Sequence, residues 1–269
     1  MIASQWRSMN GIRVAIRPGT GTGTGVPLVL CNGIGISMEA LEPLVAALDP
    51  AREVVRFDVP GVGGSPLPGR PYWMPEMAAT LGKLLTELGY DQVDVLGISW
   101  GGGLAQQFAV QHPRRCRRLV LAATATGSVM VPAGPWVLAR LISPRRHRDT
   151  SYAARIAGEI YGGSARTSPD RIAEMLHAHT RVGPRLGYVY QLLAGLGWTS
   201  LVFLPLLRQP TLILAGDDDP IIPLVNGKLL AKLIPRGRLH VYPGGHLGLV
   251  TEAEVLAPVV DAFLDEEKP

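Results

Sequence analysis

The sequence predicts a mainly parallel, doubly wound α/β sheet with a helical segment inserted between two of its strands. Three observations carry that expectation. Short apolar or β-branched runs alternate with segments of helical spacing through most of the chain. Gly-rich or Asp-containing turns follow the strands. The rhythm then breaks between about Gly127 and Pro205, where helical spacing alone persists, and resumes afterwards.

Taken in order, "GIRVAIRP" (11–18) and "VPLVLCN" (26–32) read as strands, with "GTGTGTG" (19–25) as the loop between them. "MEALEPLVAALD" (38–49) has helical spacing, and "REVVRFDVPG" (52–61) is a strand followed by a turn. In "PEMAATLGKLLTELG" (75–89), Met77, Leu81, Leu84, Leu85 and Leu88 share one helical stripe. "VDVLGI" (93–98) is a strand, Trp100 to about Gln111 a helix, and "CRRLVLAAT" (116–124) the next strand. After the break come the strand "PTLILAG" (210–216), the helix "VNGKLLAKLI" (225–234) and the strand "RLHVYPGG" (238–245). "TEAEVLAPVVDAFLDEE" (251–267) closes as an amphipathic helix, with Thr251 as cap and Glu254 three residues on. Strands this apolar need cover on both faces, which is what a parallel sheet between helices provides.

The break divides the chain into a first core part (1–127), a helical lid (128–205) and a second core part (206–269). A length of 269 residues suits one large domain carrying such an insertion. Between Met130 and Pro205 there are nine arginines, no lysine and four acidic residues, so the insertion carries the positive surplus. Apart from "SPRRHR" (143–148) these arginines are scattered, and no nucleic-acid motif accompanies them. A solvated, Arg-rich face and no nucleic-acid partner are expected. No run approaches the roughly 18–20 apolar residues of a membrane span. "MIASQWRSMNGIRVAIRPG" lacks the long apolar segment of a secretory signal, so a cytoplasmic protein is expected. Cys31 and Cys116, isolated in or beside strands, read as buried thiols rather than a disulfide or metal pair.

The chemistry concentrates at Gly97-Ile98-Ser99-Trp100-Gly101. It matches G-x-S-x-G, in which a sharp strand-to-helix turn exposes a serine at the C-terminal edge of a sheet. The glycines leave room where a Cβ would strike the neighbouring strand and helix. A serine hydroxyl is a poor nucleophile until an oriented histidine takes its proton, so an acid and a histidine must follow on later loops. "LILAGDDDPIIP" offers Asp217, Asp218 and Asp219 directly after a strand. Spacing from Gly216 and to Pro223 selects Asp219, leaving the other two as loop or capping carboxylates. "VYPGGHLGLV" supplies His246 on a Gly-rich loop after the last strand. His112 ends the helix after the serine, where a cation is ordinary. His147, His177 and His179 fall in the insertion, and His240 inside a strand.

An oxyanion needs two N–H donors. Trp100, after the serine, supplies one amide. "LCNGIGIS" (30–37) supplies the other, with Ile34 as donor and Asn32 as a brace for the loop. "FDVPGVGGSP" (57–66) forms a turn in which Asp58 holds the backbone by side-chain hydrogen bonds. Residues 128–205 leave the core on the side where the serine opens and carry Trp136, Tyr152, Tyr161, Tyr188, Tyr190, Trp198 and Phe203 among many leucines. Such apolar surplus suits a pocket for aliphatic chains, with the aromatics also available to glue lid to core.

The serine, acid and histidine segments resemble the α/β-hydrolase superfamily. "FDVPGVGGS", "GISWGGGLAQQFA", "LVLAATATGSVMVP", "SPRRHR", "IYGG", "YQLLAGLGWTS" and "QPTLILAGDDDPIIPL" resemble more closely the intracellular depolymerases of medium-chain-length polyhydroxyalkanoates. The likeness runs from about Gly11 to Leu264 and includes the insertion. Departures fall at "GTGTGTG" and around the histidine, at Tyr242-Pro243 and Gly248. The resemblance implies an α/β-hydrolase fold with Ser99, Asp219 and His246 as nucleophile, acid and base. It implies hydrolysis of ester bonds in a hydrophobic polyester of 3-hydroxy acids stored as granules, with no metal or organic cofactor. A serine at this turn argues against dehalogenase and epoxide hydrolase chemistry, which use an aspartate there. Small-ester esterases, carbon–carbon bond hydrolases and perhydrolases share the triad and remain open, and a catalytically dead binding module or granule-coat protein is the reading from another class.

Overall fold

Strand residues alternate between two layers of helices, which is why the central strands are apolar on both faces. The computed structural model describes residues 4–20 and 25–266. Among these, eight strands form one sheet: β1 (Gln5–Met9), β2 (Ile12–Arg17), β3 (Leu28–Cys31), β4 (Val54–Phe57), β5 (Val93–Ile98), β6 (Cys116–Ala122), β7 (Thr211–Gly216) and β8 (Gly237–Tyr242). Their spatial order is β1-β2-β4-β3-β5-β6-β7-β8. Pairs from β3 onward are parallel, and β2 pairs antiparallel with both β1 and β4.

The helices in the core parts are α1 (Glu42–Ala47), α2 (Met74–Glu87), α3 (Trp100–Gln111), and, after the insertion, α9 (Leu224–Leu233), α10 (Gly248–Thr251) and α11 (Ala253–Asp265). On one face Val29, Val95, Leu119 and Leu121 meet Leu81 and Leu85 of α2 and Leu104 and Phe108 of α3. On the other, Leu28, Leu30, Leu96 and Val120 meet Leu44 of α1 and Leu256, Val260 and Phe263 of α11.

Between β6 and β7 the chain forms α4 (Pro135–Leu141), α5 (Thr150–Tyr161), α6 (Ser164–Thr167), α7 (Pro169–His179) and α8 (Arg185–Gly195). The segment leaves and returns side by side: Gly127 and Thr199 form an antiparallel bridge. The Ser128 amide donates to the Trp198 carbonyl at 2.8 Å and the Ser200 amide to that of Thr126 at 2.9 Å. The segment has a core of its own, in which Ile156, Ile160, Ile172 and Leu176 also pack on Ile221 and Leu247 of the sheet's C-terminal loops.

Two local expectations fail. The strand β1 has no counterpart in the sequence reading, because its residues are mostly exposed and lack an apolar run. Its signal was the turn: Asn10 and Gly11 both adopt positive φ, the Asn-Gly arrangement that closes a two-residue hairpin. Thr251 does not cap the last helix. It ends α10, its hydroxyl donating back to the Leu247 carbonyl, and α11 starts after Glu252. Most of the expected Gly-rich loop, at 21–24, lies outside the described residues. Cys31 and Cys116 are buried and free.

The strands bearing the chemistry are clamped at their far end. Arg117 donates to both carboxylate oxygens of Asp94 on β5, at 2.9 and 2.5 Å, and to the Leu264 carbonyl on α11 at 2.9 Å. Burial dominates and lifts the Asp94 carboxyl above its ordinary range even with Arg117 beside it. Arg117→Met leaves this wholly buried carboxyl alone and is expected to cost about 3–5 kcal/mol in urea unfolding. Asp94→Leu combined with Arg117→Met is expected to recover most of that loss, since the charge that needed a partner is gone.

Candidate active site

The turn from β5 into α3 is forced into a backbone shape that side chains seldom adopt. Ser99 has φ 54° and ψ −119°, a conformation that costs on the order of 1–3 kcal/mol. The surroundings hold it there. The Ser99 amide donates to the Ala122 carbonyl on β6 at 2.9 Å, and the Thr124 hydroxyl donates to the Ser99 carbonyl at 2.7 Å. A Cβ at Gly97 would lie 2.3 Å from the Gly101 carbonyl oxygen, and one at Gly101 would lie 2.1 Å from that of Cys31. Only glycines let strand, turn and helix approach this closely.

The structure brings together Ser99, His246 and Asp219. His246 Nε2 lies 3.1 Å from Ser99 Oγ, and His246 Nδ1 lies 2.8 Å from Asp219 Oδ2. The other Asp219 oxygen accepts the backbone amides of Ile221 and Ile222 at 2.9 and 2.8 Å. The carboxylate is thus pinned by its own loop before it meets the imidazole. With Nδ1 protonated and facing Asp219, Nε2 is free to accept the serine proton.

The neighbouring aspartates hold the loops. Asp217 accepts the Gly244 amide at 3.0 Å and so ties the acid loop to the histidine loop. Asp218 accepts two bonds from the Arg166 guanidinium at 2.6 and 2.7 Å and one from the Gly163 amide at 2.7 Å, binding the acid loop to α6. Arg166 holds the Asp218 carboxyl below its ordinary pKa. The insertion also holds the histidine directly: the His246 amide donates to the Tyr161 carbonyl at the end of α5, at 2.7 Å.

The two expected oxyanion donors flank the serine. Ile34 and Trp100 line one cavity with Ser99 and His246, and neither amide donates to another group among the described residues. Asn32 braces the first loop, donating to the Ser37 carbonyl at 2.6 Å and accepting the Gly33 amide. The sequence reading missed Gln191 on α8, which touches both walls. Its side-chain oxygen accepts the Gly35 amide at 2.7 Å, and its carbonyl accepts the Trp100 indole N–H at 2.8 Å. A buried glutamine on a helical face carries no sequence signal for such a bridge.

Asp58 stands away from the cavity and holds its turn, accepting the Met38 and Gly64 amides at 2.8 Å each. His112 packs on Phe108, and burial followed by Arg115 holds its pKa below the ordinary value, which disfavours the cation expected at the end of α3. His240 sits half-buried on β8.

The cavity holds about 530 Å3 and is walled mainly by aliphatic side chains, among them Ile36, Leu138, Leu141, Leu176, Leu192 and Val250. Of the seven aromatics expected there, only Tyr161 and Tyr188 line it. Tyr190 packs on Tyr72 and Trp198 on Phe203, while Trp136 is exposed under Arg140. No helix among the described residues is long and apolar enough to cross a membrane.

Residues 26–253 match the family model of the α/β-hydrolase fold. The chain is 52% identical over 258 residues to a poly(3-hydroxyalkanoate) depolymerase of Ectopseudomonas oleovorans, covering 96% of this chain and 90% of that one. It is 29% identical over 266 residues to a 2-hydroxymuconate semialdehyde hydrolase of Pseudomonas sp. strain CF600, covering 91% and 89%. The crystal structure of a hydrolase from Pseudomonas aeruginosa PA01 superposes with a TM-score of 0.80 at 26% identity over 98% of each chain.

The bonding pattern gives the three aspartates different partners. Asp219→Asn is expected to slow phosphonate labelling of Ser99 by on the order of 10⁴, because the amide favours the wrong imidazole tautomer. Asp217→Asn and Asp218→Asn are expected to keep most of the labelling rate. Greater sensitivity at Asp217 or Asp218 would transfer the role to that residue.

Proposed function

Since the chain belongs to the α/β-hydrolase fold family, we propose that it is a serine hydrolase cleaving the ester bonds of poly(3-hydroxyalkanoates), with medium-length side chains preferred. One observation carries the reading: half of all aligned positions are shared with a depolymerase of that polyester, over a length that includes the insertion walling the cavity.

In this mechanism His246 Nε2 takes the proton of Ser99 Oγ as the oxygen attacks the ester carbonyl. Asp219 stabilises the imidazolium that forms. The Trp100 and Ile34 amides receive the oxyanion, and the N-terminal end of α3 adds its partial positive charge. Collapse of the tetrahedral intermediate breaks the acyl C–O bond, and His246 returns its proton to the departing alcohol. A water, deprotonated by the same imidazole, then attacks the acyl carbon, and as the acyl C–Oγ bond breaks His246 returns that proton to Ser99 Oγ.

Residues 128–205 act as a cap in this reading: they give the cavity much of its aliphatic wall, and they hold His246 through Tyr161 and the acid loop through Arg166. The substrate is a hydrophobic solid, so the enzyme works at the surface of its storage granules.

Ser99→Ala is expected to abolish hydrolysis while leaving thermal unfolding nearly unchanged, since losing one hydroxyl opens almost no space. Retained turnover would falsify the mechanism. Each buried methylene contributes roughly 0.8 kcal/mol, so a pentyl in place of a methyl side chain should raise kcat/KM on the order of a hundredfold. The measurement compares 3-hydroxyoctanoate polymer, 3-hydroxybutyrate polymer and p-nitrophenyl esters side by side. Polymer inertness beside brisk p-nitrophenyl ester turnover would instead mark a small-ester hydrolase.

A further inference from the structure

The insertion buries a cation in the cavity wall without giving it an anion. Arg146, on the short turn between α4 and α5, is 4% exposed and lines the same cavity as Ser99. Its Nη1 donates to the Leu141 and Ser143 carbonyls, both at 3.3 Å, and to the Tyr188 hydroxyl at 3.0 Å. The Tyr161 hydroxyl is a further hydrogen-bond partner, and the guanidinium lies 5.5 Å from the centre of the Tyr188 ring. All of these are neutral. Among the described residues Arg146 has no carboxylate partner, and its Nε is buried with no acceptor at all.

The surroundings sharpen that imbalance. His147, 9% exposed, also lines the cavity, and its Nε2 is buried without a partner. Burial first, then the charges of Arg146, His177 and Arg148, pushes the His147 pKa well below its ordinary value. The charges acting on His147 are thus all basic, and among the described residues the only acidic hydroxyls nearby are the phenols of Tyr161 and Tyr188. A desolvated guanidinium is costly unless an anion meets it. Its planar fork of donors matches a carboxylate. The position fits a substrate subsite: Tyr188 and His147 press against Gly35, where a Cβ would lie 2.7 Å and 3.1 Å from their rings, and Gly35 follows the expected oxyanion donor Ile34.

We propose that Arg146 is the receptor for a substrate carboxylate, with Tyr188 and His147 beside it, so that the cavity takes an ester chain by its acid end. The anion site stands on the geometry alone; its use on a polyester rests on the function proposed above. A polymer of 3-hydroxy acids has one free carboxylate per chain, at one terminus. With that carboxylate on Arg146 and an ester carbonyl at Ser99, attack forms the Ser99 Oγ–acyl bond and breaks the acyl C–O bond to the acid-terminal unit. That unit leaves as a hydroxy acid, its alkoxide taking the proton from His246. Water then frees the rest of the chain from Ser99, which creates a new terminal carboxylate for the next round. Cleavage therefore proceeds from the acid end and releases short products of fixed length.

The test measures competitive inhibition of p-nitrophenyl hexanoate hydrolysis at neutral pH by 3-hydroxyoctanoate and by its methyl ester. The acid is expected to bind at least roughly tenfold more tightly, as for a charge-assisted hydrogen bond in a dry site. In Arg146→Met the ratio of the two inhibition constants should fall toward one. Arg146→Lys, which keeps the charge and loses the fork, should lower the ratio several-fold and serves if the methionine variant does not fold. Equal inhibition by acid and ester in the wild-type enzyme overturns the proposal, as does an undiminished ratio in whichever variant folds. A second arm digests a 3-hydroxyoctanoate trimer as free acid and as methyl ester, with products followed by chromatography. Preference for the acid and a single short product support end-directed cleavage, whereas equal rates or a ladder of lengths overturn it. A trimer left intact while the inhibition ratio holds would sink the polyester reading and leave the anion site standing.

Discussion

The backbone of Ser99 is the constraint on which the remaining architecture depends. A residue held at φ 54° returns to an ordinary conformation unless its neighbours forbid it. Here the prohibition comes from three directions. β6 receives the Ser99 amide, Thr124 grips its carbonyl, and the loop after β3 presses its own carbonyls onto Gly101. Each contact requires β3, β5 and β6 to be adjacent and in parallel register, which the pairings of Cys31 with Gly97 and of Ile98 with Ala122 supply. The apolar sheet core therefore serves the site directly: burial of its strands meets the cost of one strained turn.

The insertion is bonded into that site at three places, each of a different kind. The Tyr161 carbonyl fixes the main chain of His246, Arg166 and Gly163 fix the Asp219 loop through Asp218, and Gln191 fixes the Gly35 amide and the Trp100 indole. A segment that merely covered a cavity would need none of these bonds. Under the proposed function, substrate selection and the orientation of Ser99, Asp219 and His246 are therefore mechanically joined. A change that shifts α5, α6 or α8 moves the histidine loop, the acid loop or the oxyanion loop with it.

The alternation of strands and helices, the strand-to-helix turn and the positions of Ser99, Asp219 and His246 were legible because each depends on local patterning. Apolar strands, Gly-flanked turns and fixed spacing from Gly216 are properties of short windows. What escaped the sequence depends on contacts between distant residues. Gln191 meets Gly35 across 156 positions and Trp100 across 91, and no window contains either pair. β1 escaped for the opposite reason: as an exposed edge strand it has no apolar pattern, and only its Asn-Gly turn marked it. Thr251 misled because a capping residue works only where the helix begins, and Gly248 lets a separate turn of helix form just before it.

The arginine and aromatic content of the insertion shows how composition alone can mislead about a pocket. Both residue types are abundant there, and apolar surplus over a cavity suggested aromatics facing inward. Instead Arg140 stacks on Trp136 at 4.1 Å, and Arg145 and Arg155 flank Tyr152 at 4.5 and 5.4 Å. A guanidinium over a ring shields its apolar face while keeping the charge hydrated, so these aromatics can sit at the surface. Most of the cavity wall is left to aliphatic side chains, which are smoother and offer no competing polar edge to an alkyl chain. Arg146 is the exception that makes this division informative. It belongs to the same basic run as Arg145 and Arg148, yet of these three arginines it alone turns inward, onto Tyr161 and Tyr188, the two tyrosines that line the cavity. Solvation explains its neighbours, and solvation is what Arg146 has given up.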